Sequence, residues 1–204
     1  MSLKFALTGG IACGKSMAEA CFQALGCRVL DADAVVHRLE AYGGTAVQPL
    51  RECFGETVLA ADGSIDRVRL GQLVFAEPTA RQQLESVIHP LIRAEVETWL
   101  KQAKADEISV FSAALLYECG WEKGWDGVVC VAASRATQVR RMCSARGMTE
   151  AAAEARLAAQ MALQEKIRRA DWVLENDTDD LSVLRCQVEE LVLQWKHLLI
   201  ESKQ

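Results

Sequence analysis

The stretch Leu3-Lys-Phe-Ala-Leu-Thr-Gly9-Gly-Ile-Ala-Cys-Gly14-Lys15-Ser16 runs from an apolar segment of strand character, through a glycine-rich turn, into a helix-like segment. Its Gly-x4-Gly-Lys-Ser spacing is that of a loop that cradles phosphate. A loop leaving a strand end toward a helix start can aim several backbone N–H groups at one anion, and the helix dipole favours negative charge there. Gly9 and Gly14 allow close approach and backbone angles that a side chain would block, Lys15 reaches the outer phosphates, and the Ser16 hydroxyl suits Mg²⁺. Residues 9–17, including Gly10, Ile11, Ala12, Cys13 and Met17, are therefore the candidate triphosphate site. The plain alternative is a glycine turn that merely joins strand to helix.

Outward from this loop, short apolar runs recur at Phe5–Thr8, Cys27–Leu30, Ile108–Ala113, Val128–Ala132 and Trp172–Leu174, with helical stretches between them. Alternation of this kind implies a parallel, doubly wound sheet between helical layers. The interval between the second and third runs is too long for one crossover helix and reads as a helical insert. Within it, Leu84, Val87, Ile88, Leu91, Ile92, Val96, Trp99 and Leu100 fall at helical spacing, and Pro90 predicts two helices or one kinked there. Thr149 before Glu150 and an alanine-rich stretch to Gln160 predict a capped helix. Leu181, Leu184, Val188, Leu191, Trp195 and Leu198 form one apolar stripe of a C-terminal helix.

With 204 residues, half of them apolar, the chain can bury a full core as one unit. A net charge of −5 gives no broad basic field, so nucleic acid is not an expected partner. The eight cysteines are scattered, without a Cys-x-x-Cys pair or nearby histidine clusters, which argues against zinc. There is no basic-then-apolar leader and no apolar run long enough to span a membrane, so the expectation is a reducing cytoplasm with the cysteines as thiols. Nothing in the sequence calls for a protein partner.

Other candidates for chemistry lie at predicted strand ends. Leu30-Asp31-Ala32-Asp33 puts two carboxylates at the carboxyl end of the second strand, the edge where open α/β sheets bind ligands. Asp33 is the candidate base that accepts a hydroxyl proton, with helix capping as its simpler role. After the fourth strand, Arg135, Arg140, Arg141 and Arg146 lie along a helix and its end, and guanidinium groups on a mobile segment suit phosphate oxygens. Arg140 and Arg141 are the preferred pair. His89, restricted by Pro90, is a candidate substrate contact. His37 and His197 read as surface residues, and Trp121 and Trp125 as packing residues.

Several of these stretches, in order, resemble one family: dephospho-coenzyme A kinase, which phosphorylates the ribose 3′-hydroxyl of dephospho-CoA. They are Leu7 through Ser16, Val29-Leu-Asp-Ala-Asp33, Asp62-Gly-Ser-Ile-Asp-Arg67 through Val74-Phe75, Ile88-His-Pro-Leu-Ile92, Leu115-Leu116 with Glu118, Ala158-Ala-Gln160 and Ala170-Asp-Trp-Val-Leu-Glu-Asn176. The resemblance implies a P-loop three-layer α/β/α fold with a parallel sheet of about five strands, ATP with Mg²⁺, and dephospho-CoA as acceptor. It implies a single unit over 1–204: a nucleotide core (1–33 with 105–134 and 164–204), a CoA-binding helical insert (34–104) and a lid (135–163). It also implies that Asp33 is the base, that Arg140 or Arg141 belongs to the lid, that His89 and Arg93 of the insert contact substrate, and that Asn176 lies near the nucleotide base.

Some positions depart from the family pattern. Ala12 and Cys13 stand where Gly-Ser is common, Met17 where Thr often follows Ser16, Ala114 where proline opens the Pro-Leu-Leu stretch, Ser112 where an acid is often found, and Ala145 where a second lid arginine is common. Arg146 could replace that arginine by a one-residue shift. The rival reading keeps the loop and base but takes another small alcohol or nucleotide as acceptor. A guanine-nucleotide switch is disfavoured, because Asp-x-x-Gly and Asn-Lys-x-Asp are both lacking.

Overall fold

The computed structural model describes residues 2–201, apart from the side chain of Arg146, so the possible substitution by that arginine lies outside the described residues. Among the described residues, five strands form one sheet: β1 (Leu3–Gly9), β2 (Arg28–Asp31), β3 (Ile108–Ser112), β4 (Gly127–Ala132) and β5 (Trp172–Glu175), in the order β2-β3-β1-β4-β5. β1 pairs in parallel with β3 and β4, with Leu7 opposite Ser112 and Val129, and β4 pairs in parallel with β5. β1, β3 and β4 are almost wholly buried, which is why they read as unbroken apolar runs.

The chain divides into two compact units, residues 31–102 and the remainder. In the larger unit, α1 (Lys15–Ala24) and α9 (Leu181–Glu201) cover one face of the sheet. Trp195 is fully buried between Phe5 of β1 and Phe22 of α1, stacked on both at 3.6 and 5.4 Å between ring centroids. The apolar stripe of α9 is Leu184, Val188, Leu191, Val192, Trp195 and Leu199. Leu181 and Leu198, placed in that stripe by sequence, are about half exposed. A 3.6-residue period turns the buried face to Leu199 after Trp195, and Leu181 is the first residue of the helix. On β3, Phe111 stacks against Trp125, whose indole donates to the Trp121 carbonyl, so both tryptophans pack.

α6 (Arg135–Arg146), α7 (Glu150–Ala158) and α8 (Leu163–Arg169) follow β4. Ser134 caps α6 and Thr149 caps α7, each through its side-chain oxygen.

The smaller unit packs α2 (Ala32–Glu40), α3 (Val47–Phe54), α4 (Arg67–Ala76) and α5 (Pro78–Lys101) around Leu39, Leu50, Leu70, Ile88, Ile92 and Val96. α5 runs unbroken through Pro90, which excludes the two-helix alternative. The proline is exposed, so the Ser86 carbonyl it leaves without an intrahelical donor can be hydrated, while Ile88, Ile92 and Val96 keep one face buried across the interruption. The Asp62–Arg67 stretch is a structural device here. Asp62 accepts from the Ser64 amide, Asp66 caps α4, and Arg67 Nε lies 2.8 Å from the buried Glu40 carboxylate.

Candidate active site

The loop between β1 and α1 is held from outside by its carbonyls. Gln138 Nε2 donates to the Ile11 carbonyl (2.7 Å), Arg141 Nη1 to that of Ala12 (3.3 Å) and Asn176 Nδ2 to that of Cys13 (2.8 Å). Gln138 and Asn176 are buried, so these amides act as fixed struts. With three successive carbonyls engaged outward, the opposite side of the loop is left to N–H groups, of which that of Cys13 donates to the Gly10 carbonyl and those of Met17 and Ala18, in the first turn of α1, donate to the Gly14 carbonyl. That is an anion cradle with the dipole of α1 behind it.

Two glycines are required by this geometry. A Cβ on Gly9 would sit 2.7 Å from the Val131 carbonyl of β4. Gly14, at φ +96°, is left-handed, and a Cβ there would collide with the Asn176 amide. Ala12 also has positive φ, 58°, a conformation unfavourable for any residue with a Cβ. Cys13 is fully buried, and burial pushes its thiol up to about 11, so it carries no thiolate near neutral pH.

Lys15 Nζ donates to Glu19 Oε1 (2.6 Å), one turn further along α1, and to Ser112 Oγ (2.8 Å) at the end of β3. The Ser112 hydroxyl in turn donates to the same Glu19 oxygen. Ser16 and Met17, in the first turn of α1, are exposed. Ser16, Glu19 and Ser112 each carry a hard oxygen of the kind that suits magnesium, with phosphate and water to complete its shell.

The two arginines singled out on α6 differ. Arg141 bridges the loop carbonyl of Ala12 and the Thr178 carbonyl beyond β5 (2.8 Å). Arg140 is exposed and pairs with Asp179 through both guanidinium nitrogens at 2.8 and 3.0 Å. Only Arg141 of the pair is brought to the loop. Asn176, expected near the nucleotide base, lies against the loop with its amide committed to the Cys13 carbonyl. Asp177 fixes the start of α6 by accepting from the Ser134 amide (2.6 Å), a bond that holds its carboxyl below the usual range. A cavity of about 430 Å³ opens between Gly10 and Ile11 of the loop, Gln138 of α6 and the Gln160–Gln164 segment.

That segment is tethered from below. Lys166 of α8 is fully buried, and its ammonium donates to the Ala114 carbonyl (2.7 Å) and pairs with Glu118 (2.8 Å). Glu118 also accepts from the Met161 amide (3.1 Å), and Thr8 of β1 donates to the same Ala114 carbonyl (3.4 Å).

In the smaller unit, Asp31 caps α2 by accepting from the Asp33 and Ala34 amides (both 3.3 Å). Capping therefore falls to Asp31, and the Asp33 carboxylate is exposed in the first turn. His89 and Arg93 lie one turn apart on one face of α5. Burial lowers the basicity of His89, with Glu85 opposing the shift and Arg93 adding to it.

Sequence reasoning passed over Gln138, Glu19 and Lys166. Glu19 carried a signal, its i,i+4 spacing from Lys15. The other two act on partners far away in the chain and left none.

A parallel sheet in this order, a Gly-Lys-Ser loop at the end of its central strand and an arginine-bearing helix against that loop define a P-loop phosphotransferase. The family model for dephospho-CoA kinase matches residues 3–181. The chain belongs to the dephospho-CoA kinase family. The dephospho-CoA kinase of Symbiobacterium thermophilum is 42% identical over 185 residues, covering 90% of this chain and 77% of its own. A crystal structure from Thermus thermophilus, 34% identical, superposes with a TM-score of 0.82 over 95% of this chain and 97% of that one. The dephospho-CoA kinase from Campylobacter jejuni, 25% identical with the same coverages, gives 0.65.

Proposed function

We propose that this protein transfers the γ-phosphoryl group of ATP to the ribose 3′-hydroxyl of dephospho-CoA, giving CoA and ADP. The observation that carries the ATP half is the triple hold on the Ile11, Ala12 and Cys13 carbonyls, which keeps those three oxygens from facing a bound phosphate. Family membership supports the acceptor half.

Phosphoryl transfer requires positioning and charge stabilisation more than covalent help from the protein. Residues 9–17 cradle the triphosphate, with Lys15 exchanging Glu19 and Ser112 for β- and γ-phosphate oxygens as ATP enters. The Ser16 hydroxyl would hold magnesium, which would supply neutralisation of the charge that develops on the transferring group. Asp33 orients the acceptor hydroxyl and takes its proton as the new P–O bond forms. Its exposure, with Asp31 already occupied in capping, supports that assignment. Arg141 stabilises charge at the loop. Residues 135–163 serve as the lid, Arg140 leaving Asp179 as it closes, and closure keeps water from competing as acceptor. The insert, with His89 and Arg93, holds the CoA moiety. Asn176 acts on nucleotide indirectly, by fixing the Cys13 carbonyl. A reducing cytoplasm accompanies this reading, since buried thiols such as Cys13, Cys27 and Cys130 would stay reduced there.

The test is ADP release with Mg·ATP and dephospho-CoA, adenosine, AMP or no acceptor, with CoA identified by mass. Selective CoA formation is the expected result. Equal turnover with another acceptor would replace the acceptor half, and absence of ATP binding would remove the whole reading.

A further inference from the structure

In P-loop phosphotransferases magnesium is held by the loop Ser/Thr together with an acid supplied from a strand. β3 neighbours β1, and its last residue, facing Lys15, is Ser112, which has a hydroxyl and no charge. A carboxylate nevertheless occupies that place from another element. Glu19 of α1 lies one turn beyond Lys15, its side chain is only 14% exposed, and it accepts from both Lys15 and Ser112.

We propose that Glu19 supplies from α1 the carboxylate of the magnesium side of this site, aimed by the Ser112 hydroxyl. The proposal rests on the reading of the loop as an ATP site. Before ATP enters, Lys15 neutralises Glu19, which lets a carboxylate remain in a largely enclosed position. Triphosphate oxygens then take Lys15. Glu19 is left with one serine donor and an uncompensated charge, next to a hydroxyl-bearing helix start where a hydrated cation is the natural partner. Magnesium keeps several of its waters and commonly meets protein through one or two carboxylates, so a carboxylate acting through metal-bound water satisfies both groups. Ser112 keeps its hydroxyl bond to Glu19 throughout, which accounts for a small polar residue at a fully buried strand end.

The test is calorimetric titration of the whole protein with ATP, in saturating Mg²⁺ and in excess EDTA, for the parent, Glu19→Gln, Glu19→Ala and the double variant Glu19→Ala/Ser112→Asp. The readout is the ratio of the two affinities, which does not depend on turnover. The ratio is expected to fall roughly tenfold in both single variants, the size of one hydrogen bond to a charged group, while affinity in EDTA holds or rises because Lys15 is released. The double variant returns the acid to the strand end and should recover the ratio. Mn²⁺ spin resonance on the nucleotide complex should show the same loss and recovery. If affinity rises equally with and without metal and the ratio is unchanged, Glu19 only restrains Lys15 and the proposal is overturned. Loss of the ratio in the parent itself would overturn the proposal and the ATP reading together. A parent that binds Mg·ATP without phosphorylating dephospho-CoA would remove only the acceptor, and the Glu19 comparison would still decide.

Discussion

Replacing Glu118 by alanine leaves the ammonium of Lys166 fully buried with one acceptor, the Ala114 carbonyl, in place of two. Breaking a buried ion pair from one side costs about 3–5 kcal/mol. Glu118 is 19% exposed, so water can enter the vacated space, and the lower end, about 3 kcal/mol, applies. For a protein of this size that corresponds to a melting temperature lower by roughly 6–12 °C. Lys166→Met should behave differently. It removes the charge together with the need to neutralise it, and Glu118 keeps both its solvent contact and the Met161 amide, so the change should stay within about 1.5 kcal/mol. The double variant should resemble Lys166→Met rather than the sum of the two, because its members share one interaction. Urea unfolding with fitted slopes, alongside thermal melts, measures all three. A loss under about 1 kcal/mol for Glu118→Ala, or an additive double variant, would refute the argument that an uncompensated buried charge sets the cost.

Asp33→Asn should keep ATP affinity by calorimetry and lose about 10²–10⁴-fold in transfer rate, as expected for removal of a positioned base; near-normal turnover would exclude Asp33. Ala12→Gly relieves the left-handed φ of 58°, offset by the greater freedom of glycine in the unfolded chain, and should raise stability by up to about 1 kcal/mol in a thermal melt. With thiols pushed up to about 11 for Cys13 and Cys27 and about 12 for Cys130, all by burial, iodoacetamide at mildly alkaline pH should label the exposed Cys53 and Cys186 first. Raising the pH toward those values should increase labelling of the buried three, and mass spectrometry of peptides reports the order.

Strands and loop were legible because each is encoded over a few adjacent residues: an apolar run makes a buried strand, and Gly-x4-Gly-Lys-Ser makes the turn after it. At Pro90 the sequence left two helices or one kinked helix open, and a single helix forms because the local rule about proline is outweighed by burial at Ile88, Ile92 and Val96, a balance set by what α5 packs on. The supports of the loop and of the Gln160–Gln164 segment were least legible. Gln138 lies 127 residues from the carbonyl it holds, Asn176 lies 163 from its own, and Lys166 lies 52 from Ala114. No window of sequence contains both partners. Asn176 shows the consequence: its place after the last strand carried an expectation about the nucleotide base, while its bond to the Cys13 carbonyl depends on the β4–β5 pairing that delivers it there.

The departures from the family pattern become intelligible once the atoms used at each position are known. Position 114 contributes a carbonyl, to Thr8 and to Lys166, and alanine presents that carbonyl as well as proline does. Position 13 contributes its carbonyl to Asn176 while its side chain is enclosed, so a thiol in place of a hydroxyl costs little provided it stays protonated, which burial ensures. Position 12 is different, since there the backbone angle itself is unfavourable, and its carbonyl has the longest of the three outward bonds, 3.3 Å to Arg141. Position 112 contributes a side-chain function, and a serine there is tolerable only if charge arrives from elsewhere; Glu19 occupies that place. Substitution is therefore inexpensive where the backbone does the binding and requires a second residue where the side chain does, so Ser112 and Glu19 should be read as one pair.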